Sequence, residues 1–333
     1  MLKIMVDAMG GDKGSSIVCE AIKSFLEKHN DVEIAVSGKK EELESIKNIC
    51  RVIDARDVVP MEAGALEVLR MKNSSMMVAL KTMKEEGYDA VVSSGSTGGF
   101  LSSSTVTLKM IPGVKRAALV APFPTYIKGK KVVILDIGAN NENSANELVQ
   151  FALMGRLYAK AVYGNNNPSV YLLNNGLEEG KGSPLTKEAN KLLKEFPGYK
   201  GNIEARNALS GEADVVVTDG FNGNIFLKAS EGIAKFMGSA IKSIFKKNLW
   251  TKLGYLHVKK GIKELTKTMD YKNTGGAMLL GVNGVVVKAH GSSDAIAFEN
   301  ALNVAYKLAV AKVKDKIEEG VKNEFSNWII REN

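Results

Sequence analysis

Apolar residues along this chain recur in two alternating rhythms. Short runs that are apolar on both faces fall at 2–6, 32–37, 51–54, 90–93, 117–121, 132–135, 170–173 and 214–218. Runs of that kind suit the central strands of a parallel sheet, which is covered on both sides. Between them, apolar residues at three- and four-residue spacing predict helices near 15–29, 39–48, 75–86, 99–110, 144–161, 184–195 and 223–247. Strand and helix in alternation predict a doubly wound α/β sheet. Late in the chain two apolar runs flank Val282-Asn283-Gly284, a hairpin turn signal, so one antiparallel excursion is expected there. A helix over about 293–318 follows. Neither a repeat nor a Pro/Gly-rich linker interrupts the pattern. Residues 1–333 therefore read as a single α/β unit with two intertwined lobes.

Polar, glycine-rich turns follow five of the predicted strands, at the edge where open α/β sheets bind ligands. They are Asp7-Ala8-Met9-Gly10-Gly11-Asp12, Ser93 to Gly99, Asp136-Ile137-Gly138-Ala139-Asn140, Asp219 to Asn224, and His290-Gly291-Ser292-Ser293-Asp294. The turn Ser94-Gly95-Ser96-Thr97-Gly98 has the make-up of an anion cradle: close-approaching backbone N–H groups, hydroxyl donors and a helix N-terminus. A tight turn with Ser/Thr caps competes with that reading. The turn lacks the Lys-Ser/Thr of a nucleotide P-loop, and none of the turns has the spaced dinucleotide fingerprint. His290 precedes a serine pair that opens the last helix. It is a candidate proton donor, with Ser292 and Ser293 holding an anion, against a reading as a packed histidine beside a helix cap. Asp7, Asp12, Asp136 and Asp219 could hold Mg²⁺, but loop-fixing hydrogen bonds are the better reading, and no metal site is expected. Lys181, in Glu178-Glu179-Gly180-Lys181-Gly182-Ser183, offers a cation for phosphate or simply a solvated loop.

Composition sharpens this picture in one place. The chain has 333 residues and a formal charge of +8, with 45% apolar and 25% charged residues, as in ordinary globular proteins. Residues 231–267 hold nine lysines and two glutamates, so they carry +7 of that charge. Local basicity marks one docking surface and argues against general nucleic-acid binding. Ile233, Phe236, Met237, Ile241, Ile244 and Phe245 form a helical apolar stripe, expected to pack on the core or on a second copy. Beyond it Lys246, Lys247, Trp250, Leu253, Lys259 and Lys260 interleave large apolar groups with charge, which suits an anionic membrane or an acidic partner. No run of about 18 apolar residues predicts a membrane span, and an acid at position 7 argues against a signal peptide. Two cysteines, Cys19 and Cys50, build no disulfide framework and fit a reducing compartment.

Taken in order, these turns resemble the PlsX family of acyl-ACP:phosphate acyltransferases. The resemblance rests on Val6 to Asp12, Ser94 to Gly99, Leu135 to Asn140, Glu178 to Gly182, Val216 to Asn224, Leu280 to Gly284 and Lys288 to Asp294. It runs from residue 3 to about 310. Two departures stand out: Ser96 replaces the family's usual Asn, and Asn141-Glu142-Asn143-Ser144-Ala145 replaces its usual continuation.

The resemblance implies a three-layer α/β/α fold with a mostly parallel mixed sheet, like isopropylmalate dehydrogenase and phosphotransacetylase. It implies a homodimer that is cytoplasmic and peripherally membrane-associated. It also implies transfer of a fatty acyl group from acyl carrier protein to inorganic phosphate. The acyl phosphate would pass to the membrane acyltransferase PlsY for phospholipid synthesis. No cofactor is implied. Because phosphate is itself a nucleophile, the site needs alignment and oxyanion donors rather than a covalent relay. Asn140, Asn222 and Asn224 are expected to supply neutral donors, Lys181 to offset charge, and the 94–98 turn with Ser292-Ser293 to hold phosphate. An acyl-CoA-using, phosphotransacetylase-like enzyme and a membrane-docked scaffold without activity are the alternatives.

Overall fold

The computed structural model describes residues 1–269 and 275–325. The first part of the chain alternates strand and helix: β1 (Leu2–Asp7), α1 (Ser15–Leu26), β2 (Val32–Gly38), β3 (Arg51–Asp54), α2 (Ala65–Arg70), α3 (Ser75–Glu86), β4 (Ala90–Ser93) and α4 (Thr97–Leu108). Then come β5 (Ala118–Pro124), β6 (Lys131–Leu135), α5 (Ala145–Tyr163), β7 (Val170–Asn174), α6 (Pro184–Leu193), β8 (Tyr199–Glu204) and β9 (Val215–Val217). The remainder is α7 (Gly220–Lys246), α8 (Leu249–Met269), β10 (Ala277–Leu280), β11 (Val285–Lys288), α9 (Ala295–Val310) and α10 (Val313–Gly320).

The eleven strands join in one mixed sheet, ordered β3-β2-β1-β4-β11-β10-β5-β6-β9-β7-β8. Side-chain alternation sorts the core into two layers. Ile4, Val6, Ala90, Val92, Val133 and Leu135 face one side, with residues of α1, α5, α6, α9 and α10. Met5, Val91, Val132, Ile134, Leu119 and Val286 face the other, with α3 and α4. Helices thus cover both faces, which is why the strands read as apolar throughout.

Two antiparallel features divide the sheet. The expected hairpin of β10 and β11 is present. The second is the β5–β6 pair, which the sequence reading took for parallel central strands. Only residues 125–130 join β5 to β6, too few for a parallel crossover, which needs about a dozen. Thr125 closes the turn, its N–H and Oγ donating to the Lys130 carbonyl at 3.2 and 3.0 Å. Because of this pair and β10, the β1–β4–β11 block and the β6–β9–β7–β8 block run in opposite directions.

Their ends nevertheless meet. Lys288 at the end of β11 is level with Ala277, while Leu135 at the end of β6 is level with Val120 and Met278. The strand ends therefore reach adjacent levels of the sheet from opposite sides. Loops from both blocks open over the same short stretch of β5 and β10.

Helix ends follow their caps. Ser144 and Glu147 form a capping box at the start of α5, and Gly164 ends it at φ 67°. Several elements differ from expectation, among them the unforeseen helices α2 and α8. Residues 39–48 form two short 3₁₀ turns, broken at Leu43, rather than one α-helix. The last helix divides into α9 and α10 at Lys312, which adopts φ 51° without a glycine to announce it. The edge strand β8 was not foreseen, because Tyr199-Lys200-Gly201-Asn202-Ile203-Glu204 lacks the apolar run of a central strand.

Candidate functional site

The loops after β1 and β4 interlock through glycine. A Cβ on Gly10 would lie 2.3 Å from the Gly95 Cα, so the backbones meet where no side chain fits. Asp7 is buried beneath them. Its carboxylate accepts from Ser93 Oγ at 2.7 Å and the Met9 N–H at 3.2 Å. Burial raises its pKa above the ordinary carboxylate value, against these hydrogen bonds and the nearby charge of Lys288. Ser93 Oγ also accepts the Gly95 N–H at 3.0 Å. The loop after β11 joins the group through the Asp12 N–H, which donates to the Gly291 carbonyl at 2.9 Å, and the Ala289 N–H, which donates to the Ser93 carbonyl at 2.9 Å.

From the other block, Asp136 organises its own loop. Its carboxylate accepts the N–H groups of Leu119, Gly138, Ala139 and Asn140 at 2.9, 3.0, 2.9 and 2.9 Å, and Asn140 Nδ2 at 2.7 Å. Burial nonetheless raises its pKa. Asp219 caps α7, accepting the Asn222 N–H at 2.9 Å and Asn222 Nδ2 at 2.6 Å. These carboxylates serve their loops. The first turn of α7 packs directly on the Asp136 loop: a Cβ on Gly223 would lie 1.8 Å from the Asp136 carbonyl oxygen.

A cavity of about 520 Å³ opens where these pieces meet. Leu119 and Ala121 of β5, with Ala277 of β10, contribute apolar lining. All five polar turns reach it: Asp12; Thr97 and Gly98; Ile137 and Gly138; Asn224; and His290, Ser292 and Ser293. Leu227, Lys228 and Glu231 of α7, Met61 and Lys288 at the end of β11 also line it. The lining thus joins the N-terminal turn of α4 to the Ser292-Ser293 turn before α9.

Predicted residues divide by position. Thr97, Gly98, Asn224, His290, Ser292 and Ser293 line the cavity. Ser96 does not: its Oγ caps α4, accepting the Gly99 N–H at 3.3 Å, and donates to the Met61 carbonyl at 3.1 Å. Gly95 packs on Gly10, and Ser94 is buried, its Oγ without a hydrogen bond among the described residues. Asn140 spends its amide on Asp136 and the Ala117 carbonyl, and Asn222 spends its amide on Asp219. Lys181 lies outside the lining, in the loop after β7. The reason is strand order, since β9 separates β7 from β6. Expected donor roles for Asn140 and Asn222, and the expected charge role of Lys181, thus find no support in the cavity's geometry.

His290 accepts the Ser292 N–H at its Nδ1, 3.2 Å away, with Ser292 Oγ at 2.9 Å from the same nitrogen. Burial lowers its pKa, with Lys288 and Lys235 adding to the effect and Glu231 and Asp12 opposing it. The imidazole is therefore neutral near pH 7, and an Nδ1 that accepts a backbone N–H leaves the proton on Nε2. The sequence reading gave no role to Lys288. It is only 7% exposed, ends β11 and lines the cavity. Burial pulls its pKa down to about 8, with Asp7 and Asp12 opposing the shift. Its place directly before Ala289-His290 at the end of an apolar run was the available signal.

The basic segment forms a helical hairpin. Asn248 and Thr251 cap the turn between α7 and α8, and the Phe245 and Tyr255 rings lie 5.4 Å apart. The stripe expected to pack on the core or on a second copy is uncovered in the single chain: Ile233, Phe236 and Ile244 are 62%, 70% and 57% exposed. Packing on the core is thus overturned, because α7 leaves the body soon after its first turn and only Gly220 and Gly223 in it are buried. No helix among the described residues is long and apolar enough to cross a membrane.

The model of the fatty acid synthesis protein family matches residues 2–316. A phosphate acyltransferase from Pseudothermotoga lettingae is 43% identical over 325 residues, covering 97% of each chain. One from an Exiguobacterium strain is 41% identical over 329 residues, covering 95% of this chain and 98% of that one. Among solved structures, a branched-chain phosphotransacylase from Enterococcus faecalis superposes with a TM-score of 0.60 at 14% identity, over 93% of this chain and 99% of that one. A phosphotransacetylase from Streptococcus pyogenes gives 0.59 at 17%, over 95% and 94%. At such identities the structural likeness speaks for the fold alone.

Proposed function

The chain belongs to the fatty acid synthesis protein family, with phosphate acyltransferases among its relatives, and from that premise we propose that it moves a fatty acyl group from acyl carrier protein to inorganic phosphate. The observation that carries this reading is the cavity. It brings the α4 start, the Ser292-Ser293 turn and His290 together over an apolar strip of β5 and β10. Helix N-termini and backbone N–H groups suit a phosphate. The apolar strip suits the first carbons of an acyl chain.

In the reaction, a phosphate oxygen forms the new C–O bond, the C–S bond breaks, and the phosphate's proton ends on the carrier's thiol. The protein holds the two reactants in line and stabilises the charge that develops on the carbonyl oxygen. His290 in its neutral form is a hydrogen-bond donor through Nε2–H rather than an acid. A thiolate, with an ordinary thiol pKa of about 8.5, leaves without one. Asn224 supplies a second neutral donor.

Acyl carrier protein rather than coenzyme A is the proposed donor, because the basic hairpin offers a docking surface for an acidic protein. The same exposed apolar and basic face, with Lys246, Lys247, Trp250, Leu253, Lys259 and Lys260, would rest the enzyme on an anionic membrane or meet a second copy. There its greasy product reaches PlsY for phospholipid synthesis. Incubating the protein with phosphate and either acyl-ACP or acyl-CoA, and trapping acyl phosphate with hydroxylamine, tests the reading. Product from acyl-ACP supports it. Product from acyl-CoA alone moves the reading to the phosphotransacetylase-like reaction, and no product in either case leaves the scaffold.

A further inference from the structure

Lys288 is a buried ammonium with few partners. An ammonium has three N–H donors, and its Nζ donates to the carbonyl of its own neighbour, Ala289. It enters no ion pair among the described residues. Asp7 and Asp12 act on it only through their charge. Its position is fixed on two sides: β4 pairs it with Ser93, and β10 pairs it with Ala277. It opens onto the same cavity as Thr97, Gly98 and the Ser292-Ser293 turn.

We propose that Lys288 is the cation that binds the phosphate acceptor, exchanging the Ala289 carbonyl for a phosphate oxygen when phosphate enters between the start of α4 and the Ser292-Ser293 turn. This rests on the proposed acyl transfer to phosphate, and it places the charge-neutralising role on Lys288 rather than Lys181. Lys228, which also lines the cavity, is exposed on α7, where water screens its charge. A charge at Lys288 acts across a drier path and is worth more to a bound anion. A carbonyl partner holds the ammonium without neutralising it, so the phosphate does not have to break an ion pair to bind.

The charged and titratable groups around Lys288 come from every side of the cavity. They are Asp7 at the end of β1, Asp12 in the loop after it, His290 in the loop after β11, and Lys228 and Glu231 on α7. Burial sets its proton affinity near pH 8. Phosphate binding should therefore weaken as pH rises through that range, since the ammonium charge is lost there.

The test uses the full-length protein with Lys288→Met, which keeps the bulk of the stem, and Lys288→Arg, which keeps the charge. Two readouts are taken: KM for phosphate and for the acyl donor, and phosphate affinity without donor by titration calorimetry. The Met variant should raise both phosphate KM and Kd about 10–100-fold, the worth of one charge-assisted hydrogen bond. Its donor KM should stay within about twofold, and Arg should recover part of the phosphate affinity. A folded Met variant that binds phosphate as the parent does overturns the proposal. If the parent transfers no acyl group but loses phosphate affinity on Lys288→Met, the functional reading fails and the anion site stands. Should the Met variant not fold, the parent's own phosphate Kd decides. Weakening between pH 7.5 and 9.5 supports the proposal, and a flat profile overturns it.

Discussion

At the scale of single residues, burial decides what each polar group can do. Lys288 ends β11 and His290 stands two residues on in the following loop, and desolvation lowers the proton affinity of both, of the buried lysine more than of the partly exposed histidine. The consequence differs by residue. His290 becomes a neutral donor whose Nδ1 is occupied by Ser292, while Lys288 stays charged at neutral pH. His290→Ala should lower kcat about 10²–10³-fold, as for loss of one oxyanion donor, with phosphate KM little changed. In the parent, kcat should hold on the acid side until pH falls below the range where an exposed histidine titrates. Protonation then removes the Nδ1 acceptor, and a pH–rate profile reads that limb. Sequence showed His290, because it stands beside a serine pair and a hairpin. It hid Lys288, because a lysine ending an apolar run reads as a solvated strand end. Asn140 and Asn222 misled for a related reason. An amide near a strand end is as useful for holding an aspartate as for holding a ligand, and only their distances to Asp136 and Asp219 distinguish the two uses.

Among the elements, α7 carries two tasks along one helix of 27 residues, about 40 Å long at 1.5 Å per residue. Its first turns close the cavity, and its far end forms the basic hairpin with α8. Gly223→Ala should push its start away from the Asp136 loop. A loss of about 1–3 kcal/mol is expected in urea unfolding, with a fall in kcat as Asn224 shifts. Neutralising Lys246, Lys247, Lys259 and Lys260 together should raise the acyl-ACP KM at low ionic strength, with the difference fading in salt and phosphate KM unchanged. A donor KM that ignores both the lysines and the salt would remove the hairpin from carrier docking. Where sequence held a cap, the helix was legible. The Ser144–Glu147 box announces α5, and Ser144→Ala should cost about 1 kcal/mol in the same unfolding assay. Where no such residue stood, it was not. Lys312 breaks the last helix in a left-handed conformation that its sequence does not advertise. For the hairpin's stripe only the core alternative failed, because an amphipathic helix has the same pattern whether its apolar face meets the core or leaves the body.

For the whole molecule, the central fact is that two strand blocks of opposite direction end at adjacent levels of one sheet. A doubly wound α/β architecture was legible from alternating runs. The reversal of direction was not, although the short β5–β6 connection carried the information. The five turns were expected after strands, at the ligand-binding edge of the sheet. That expectation was right in outcome and incomplete in cause: a purely parallel sheet would have gathered the turns at one edge, whereas here they arrive from both. The cavity they build sets the start of α4 and the Ser292-Ser293 turn beside an apolar strip, which is the pairing the proposed acyl transfer to phosphate requires. The most direct measurement is a stoichiometric one. Purified protein is given acyl-ACP, with and without phosphate, and both free carrier thiol and hydroxylamine-trapped acyl phosphate are followed. The account predicts that thiol and acyl phosphate appear in equal amounts and only when phosphate is present. Thiol release without phosphate, or no release with it, would contradict the account.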